Sequence, residues 1–228
     1  MSDESPATPG SPDGPRTVVH LLRHGEVHNP DGVLYGRLPE FHLSELGRQM
    51  AGRVADALAT RDVTHVVASP LERAQETAQP TAGAFGLDIV TDRRVIEAAN
   101  TFEGQRFGVG DGAMRRPSTW RYLYNPFKPS WGEPYKDIVV RMLAAMHDAR
   151  EAAEGHEALV VSHQLPVWMA RCFVEGRRLY HDPRNRQCSL ASLTSFTYGG
   201  DRVTSVAYSE PAADLVPLPS ADKPAAGA

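Results

Sequence analysis

An arginine and a histidine stand side by side in Leu21-Leu22-Arg23-His24-Gly25-Glu26, where an apolar run meets a glycine. A guanidinium is a planar fork of donors matched to phosphate oxygens, and a neutral imidazole is a nucleophile that can take up a phosphoryl group and return it. The pair points to phosphoryl transfer through a phosphohistidine. A second histidine, His163, follows the apolar run Glu157-Ala158-Leu159-Val160-Val161-Ser162. Arg73 lies just beyond a third run, Val63-Thr64-His65-Val66-Val67-Ala68, which ends at Ser69-Pro70.

These runs, with Thr17 to Leu22, are short and rich in β-branched residues, the pattern of strands buried on both faces of a parallel sheet. Ligands of open α/β sheets bind outside the carboxyl ends of the strands. If the three strands are neighbours, Arg23, His24, Arg73 and His163 therefore surround one point. That balance suits a dianionic phosphoryl group, with cationic donors on its equatorial oxygens and one imidazole attacking in line. Gly25 is expected to let the backbone turn sharply after the first strand.

The intervening segments supply helices. Ser44 reads as the N-cap of a helix through Ala59, with Leu46, Met50, Val54, Ala55 and Leu58 at helical spacing. Pro70 is expected in the first turn of a helix through Ala78, whose N-terminus adds positive dipole beside the ligand. Further helices are expected over 135–154 and 166–174, a short strand over 88–91, and a loop over 28–39. A β-hairpin is expected from Ser189 to Tyr208 around Gly199-Gly200-Asp201. The expected fold is α/β: a three-layer sandwich with a mostly parallel central sheet flanked by helices.

With 228 residues, 41% of them hydrophobic, the chain suits one domain with a substantial core. The folded unit is expected over 16–210, between a disordered leader (1–15) and a disordered tail (211–228) that have little to bury. A net charge of −4 without a long basic cluster argues against nucleic acid or an anionic membrane as partner. Cys172 and Cys188 are too few for a disulfide framework, and no CxxC pair suggests structural zinc. No secretory signal or membrane-length apolar run is present, so a cytoplasmic protein is expected, working as a monomer or homodimer. His20, His24 and His28 have helical metal-ligand spacing, but His20 lies within a strand pattern, which sets zinc aside. The glycines from Gly104 to Gly112 do not form a dinucleotide fingerprint. Beyond them, an irregular stretch to Trp131 carries Arg115, Arg116, Trp120, Arg121 and Tyr122, and is long enough to be a lid or pocket wall.

Four segments resemble, in order, the motifs of the histidine phosphatase superfamily in its phosphoglycerate-mutase-like branch. They are Arg23-His24-Gly25-Glu26, Ser69-Pro70-Leu71-Glu72-Arg73-Ala74-Gln75-Glu76-Thr77-Ala78, Ile96-Glu97 with Phe102-Glu103-Gly104, and Val161-Ser162-His163. Gly36-Arg37 and Leu43-Ser44-Glu45-Leu46-Gly47 are also similar to the family's segment before its first helix. The resemblance covers roughly residues 16 to 175. It implies His24 as the phosphorylated nucleophile, Arg23, Arg73 and His163 as holders of the phosphoryl group, and Glu97 as the acid that becomes the base for water. A carboxyl kept protonated near neutral pH can protonate an alkoxide and then accept water's proton. Asn29, Arg37 and Gln164 are implied in substrate binding, and no metal or organic cofactor is required. The chain departs from the family in three places: Asn29 stands one residue early, His42 stands where proline is common, and Gln164 replaces the usual glycine.

The implied function is a cofactor-independent phosphatase acting on a small phosphorylated metabolite. A phosphoglycerate-type mutase is the first alternative. However, the Glu-Arg-His-Tyr-Gly run of authentic mutases is absent, since here the stretch reads Glu97-Ala98-Ala99-Asn100-Thr101. The second alternative is a protein that binds a phosphorylated ligand without turnover, and retention of the nucleophile argues against it.

Overall fold

The structure is a computed structural model that describes residues 15–105 and 132–216. Most of the expected leader, tail and basic-aromatic insertion, including Arg115, Arg116, Trp120, Arg121 and Tyr122, lies outside the described residues. Strand β1 (Arg16–Arg23) is buried at every residue after Arg16, as expected for a strand covered on both faces. Its neighbours are β2 (Val63–Ala68), β3 (Ile89–Thr91), β4 (Glu157–Ser162), β5 (Leu193–Gly199) and β6 (Arg202–Ser209), in the order β3-β2-β4-β1-β5-β6. The first four run parallel, and β5 is antiparallel to both β1 and β6.

Successive β1 residues supply opposite layers, because side chains alternate across a strand. Leu22 packs with Met50, Val54 and Leu58 of α1 (Glu45–Leu58) and with Ala74 and Ala78 of α2 (Glu72–Phe85). Leu21 packs with Ile138, Met142 and Met146 of α3 (Tyr135–Ala152) and with Trp168 and Met169 of α4 (Gln164–Val174). Full burial of such a leucine contributes about 1.5–3 kcal/mol. This is the three-layer α/β sandwich expected. His20 is buried in β1 with Nδ1 2.7 Å from Ser195 Oγ and Nε2 2.8 Å from Glu157 Oε2, so it is a satisfied polar group between β5 and β4.

Ser44 caps α1 as expected, its Oγ accepting from the Gly47 N–H at 2.9 Å. Several boundaries differ from expectation by a residue or two, and others for local reasons. Pro70 precedes α2: Ser69 N–H still bonds the sheet at Val161 O (3.0 Å), and extended Leu71 is the cap, so Pro70 lies in the connection between β2 and α2. Helix α2 instead contains Pro80, and ends at Gly86 in the left-handed region at φ 67°. Helix α4 begins at Gln164, two residues before the expected 166. Strand β5 begins at Leu193, because Ser189 to Ser192 form a loop whose carbonyls and amides bond Arg23 and His24. In the segment read as the start of a loose tail, Ala212 is buried against the α1–α2 layer and Asp214 pairs with Arg53 at 3.1 Å. Among the described residues no helix is long and apolar enough to cross a membrane.

Candidate active site

Strand register brings the expected residues together. Arg23 pairs with Ser162 across β1 and β4, and Ala68 pairs with Val161 across β2 and β4, so three carboxyl ends form one rim. His24 N–H continues the ladder to Ser162 O at 3.1 Å. The Gly25 N–H then donates to Thr77 Oγ1 at 3.1 Å, which ties the strand exit to α2. Gly25 is needed for close approach rather than for an unusual backbone angle. A Cβ on it would lie 2.6 Å from Gly47 O, and one on Gly47 would collide with Glu26 O. The two glycines let the β1 exit lie directly on the first turn of α1, where Ser44 Oγ also donates to Glu26 Oε2 at 2.5 Å.

Four side chains with chemistry lie buried at this rim: Arg23 at 6% exposure, His24 at 1%, and Arg73 and His163 at 0%. The imidazoles of His24 and His163 meet edge to face with centroids 5.1 Å apart. His24 Nδ1 is 2.8 Å from Gly25 O, a carbonyl that only accepts, so Nδ1 carries the proton and Nε2 keeps its lone pair. Burial first, and then the charges of Arg73 and Arg23, hold His24 well below the ordinary imidazole range, against the opposing effect of the Gly25 carbonyl. Burial, then His24 and the same arginines with Arg141, lower His163 too. Both rings are therefore neutral near neutral pH.

The arginines are anchored by backbone: Arg23 Nη1 donates to Cys188 O at 2.7 Å, and Arg73 Nη2 to Gly36 O at 2.5 Å. Tyr35 lies under Arg73, its ring centroid 4.7 Å from the guanidinium carbon. Ser69 Oγ is 2.8 Å from His163 Nε2, which leaves Nδ1 as the ring nitrogen without a protein partner among the described residues. Arg23 Nε, Arg73 Nε, Arg73 Nη1 and His163 Nδ1 are buried without a partner among the described residues. A donor buried and unpaired costs about 1–3 kcal/mol, so clustered orphan donors around a neutral imidazole form an anion site.

Glu97 is the carboxyl at this place. Glu26 is held by Ser44, and Glu103 Oε1 accepts from Asn100 N–H at 3.2 Å. Burial raises Glu97 above the ordinary carboxylate range, opposed by the Ala98 N–H and by the charges of Arg73, Arg186 and Arg23. Its position is fixed from behind. Arg37 Nε donates to Glu97 O at 2.7 Å, and Arg141 Nη1 donates to Ile96 O at 2.6 Å. Glu133 binds both arginines, each at 2.8 Å. A cleft opens beside Glu97, with Tyr35, Tyr135, Gln164, Leu165 and Arg186 among its walls.

Of the expected site residues, Arg23, His24, Arg73, His163 and Glu97 share this region, and Gln164 lines the cleft. Asn29 bonds within its own loop, one Nδ2 N–H donating to Val33 O at 2.9 Å and Oδ1 accepting from Val33 N–H at 3.1 Å. Arg37 is committed to Glu133 and to the Glu97 backbone. Sequence reasoning missed Tyr35, Glu133, Arg141 and Arg186. Only Arg141 left a signal, as a cation inside the apolar stripe Ile138, Met142, Ala145 of α3.

Comparison with known proteins places this geometry. Residues 19–211 match the model of the histidine phosphatase superfamily (branch 1). Rv0525 of Mycobacterium tuberculosis is 60% identical over 197 residues, covering 86% of this chain and 98% of that protein. A probable phosphoglycerate mutase GpmB of an Enterobacter species is 31% identical over 182 residues, covering 77% and 83%. A phosphoserine phosphatase from Entamoeba histolytica, solved with 3-phosphoglyceric acid, shares the fold at TM-score 0.69 and 21% identity, covering 86% of this chain and 99% of that one. With buried Arg23, His24, Arg73 and His163 converging on one strand-end rim, the chain belongs to the histidine phosphatase superfamily.

Proposed function

We propose that this protein is a cofactor-independent phosphatase that hydrolyses a small phosphomonoester through a phosphohistidine on His24. The carrying observation is the set of unpartnered nitrogens on Arg23, Arg73 and His163 around a neutral imidazole whose Nδ1 proton is held by Gly25 O. His24 Nε2 attacks phosphorus while the P–O bond to the alcohol breaks. Glu97, whose protonated form burial favours, gives its proton to the leaving oxygen. Arg23, Arg73 and His163 hold the equatorial oxygens as charge builds there. Water then attacks the phosphohistidine and passes a proton to Glu97, and the P–N bond breaks to release inorganic phosphate and restore both residues.

A mutase reading draws on the similarity to GpmB. It requires the phosphoryl group to move to a second hydroxyl instead of to water. Measuring inorganic phosphate release from an aryl phosphate and from a panel of phosphorylated metabolites separates the readings. Quenching in base should trap an alkali-stable, acid-labile phosphoryl label on His24. Turnover without such a label would overturn the mechanism. The arginines and His163 do the charge work that Mg²⁺ does in other phosphoryl transfers, so exhaustive dialysis against EDTA should leave activity unchanged. A loss restored by a divalent ion would refute that part.

A further inference from the structure

Arg186 stands in the loop between α4 and β5, is half-buried, and lines the same cleft as Glu97. Its guanidinium is held in an unusual way for this molecule. Nε donates to His181 Nε2 at 2.8 Å, and Nη1 donates to Gln164 Oε1 at 3.2 Å. His181 can accept because its Nδ1 donates to Leu179 O at 2.7 Å, which leaves the lone pair on Nε2. The His181 ring is itself fixed, with the rings of Tyr135 and Trp168 each 5.8 Å away.

Both acceptors are neutral. Around it, Arg37 and Arg141 pair with Glu133, Arg171 and Arg177 with Glu175, and Arg184 with Asp182. Among the described residues no carboxylate pairs with Arg186, and it is the one cation in the cleft lining. A guanidinium partly removed from water, with neutral hydrogen-bond acceptors and the charge of Glu97 acting on it only through space, keeps a demand for an anion. Its two bonds fix the direction in which it presents the rest of its fork.

We propose that Arg186 sets specificity by binding a carboxylate on the alcohol part of the phosphomonoester. This rests on the phosphatase reading above. The cleft is continuous with Glu97, which serves the leaving oxygen, so whatever occupies it is the leaving alcohol. One guanidinium offsets one charge, which fits a carboxylate better than a second dianionic phosphate. The apolar side chains Leu165, Tyr135 and Tyr35 take the carbon chain between the two ends.

The test uses two matched series of alkyl phosphates of increasing chain length, one ending in a carboxylate and the other in the isosteric, neutral carboxamide. For the best-fitting length, wild-type kcat/KM should favour the carboxylate by roughly tenfold or more, the size of a charge-assisted contact. In Arg186→Gln that ratio should fall to near one, and Arg186→Lys, which keeps the charge but loses the fork, should restore part of it. A merely structural role would lower both series together and leave the ratio standing, which would overturn the proposal. A wild-type ratio near one at every length would overturn it as well. If the wild type hydrolyses neither series nor an aryl phosphate, the phosphatase reading fails first, and the proposal with it.

Discussion

Arg73 and Arg186 both act electrostatically on Glu97, but they are held by different kinds of structure. Arg73 is fully buried in the first turn of α2 and hydrogen-bonds a backbone carbonyl, as Arg23 does. Arg186 comes from an irregular loop and is steered by two side chains, His181 and Gln164. Backbone carbonyls move only if the sheet and helices move, so the strand-end cluster presents one fixed geometry. Side-chain acceptors can be exchanged one at a time, so the cleft wall is adjustable around the same chemistry. On the proposed function, this separates what is common to every substrate, the phosphoryl group, from what distinguishes one alcohol from another.

The largest way to break that comparison is to remove the proposed nucleophile. His24→Ala should lower kcat at least about 10³-fold on carboxylate and carboxamide substrates alike, with no change in their ratio. The phosphoryl label should vanish, and circular dichroism should show a folded protein. A residual activity above one tenth of wild type would place the nucleophile elsewhere.

Glu97→Gln sharpens the comparison, because Glu97 belongs to both regions. Loss of the proposed acid should cost roughly 10²-fold in kcat/KM for alkyl phosphates, whose alkoxides need a proton. For 4-nitrophenyl phosphate, whose leaving group needs none, the loss in kcat/KM should be far smaller, although kcat falls where water's attack limits turnover. The sign with pH follows from the shifts. His24 is held low, so its neutral form survives until well below the ordinary imidazole range. Glu97 is raised, so it stays protonated above the ordinary carboxylate range and activity falls as pH rises through its ionisation. That basic limb should be present for alkyl phosphates in the wild type and missing in Glu97→Gln. A limb that persists in the variant would belong to another group.

The two regions also differ in how far they were legible in the sequence. Strands β2 and β4 occupy the residues that their apolar patterns mark, because burial on both faces leaves a continuous run and the site residue follows directly at its end. Periodicity thus marked the strand ends at which His24 and His163 stand, and the adjoining motif marked the helix start that carries Arg73. What it could not encode was contact between loops. Gly25 read as a turn residue, and its tight packing on Gly47 is a meeting of segments twenty-two positions apart. Arg186 sits in a polar loop where nothing local distinguishes it from Arg184, although one faces the cleft and the other pairs with exposed Asp182. Asn29 carries a local role that its place in the chain did not announce, since its amide bonds a neighbouring backbone, which is a common use of asparagine in loops.

The Gly25–Gly47 contact gives a prediction confined to the strand-end cluster. A Cβ at residue 47 must displace Glu26 O, and backbone cannot yield as a side-chain tip does. Gly47→Ala should therefore cost about 1–3 kcal/mol as overpacking, read as a lower melting temperature. Because the displaced segment carries His24, kcat should fall on both substrate series in proportion. A variant as stable and as active as wild type would show that α1 and the strand exit shift freely, and the rigid picture of this cluster would fail.

The smallest effect concerns Gln164, where two readings of one residue part. If Gln164 serves the phosphoryl group, as its place directly after His163 implies, Gln164→Ala should reduce carboxylate and carboxamide turnover equally. If it serves Arg186, the variant removes one of the two acceptors that aim the guanidinium, and the other, His181, remains. Breaking a hydrogen bond to a charged group costs about 1.5–3 kcal/mol, but His181 still holds the guanidinium and only part of that loss reaches the substrate contact, so the preference for carboxylate should fall by less than in Arg186→Gln. Replacing His181 by glutamine, which can still accept from Arg186 Nε, should cost less than replacing it by phenylalanine, which cannot. The ordering of these ratios, Arg186→Gln lowest and His181→Gln nearest wild type, is what a side-chain-steered arginine requires. A backbone-held one would be indifferent to both neighbours.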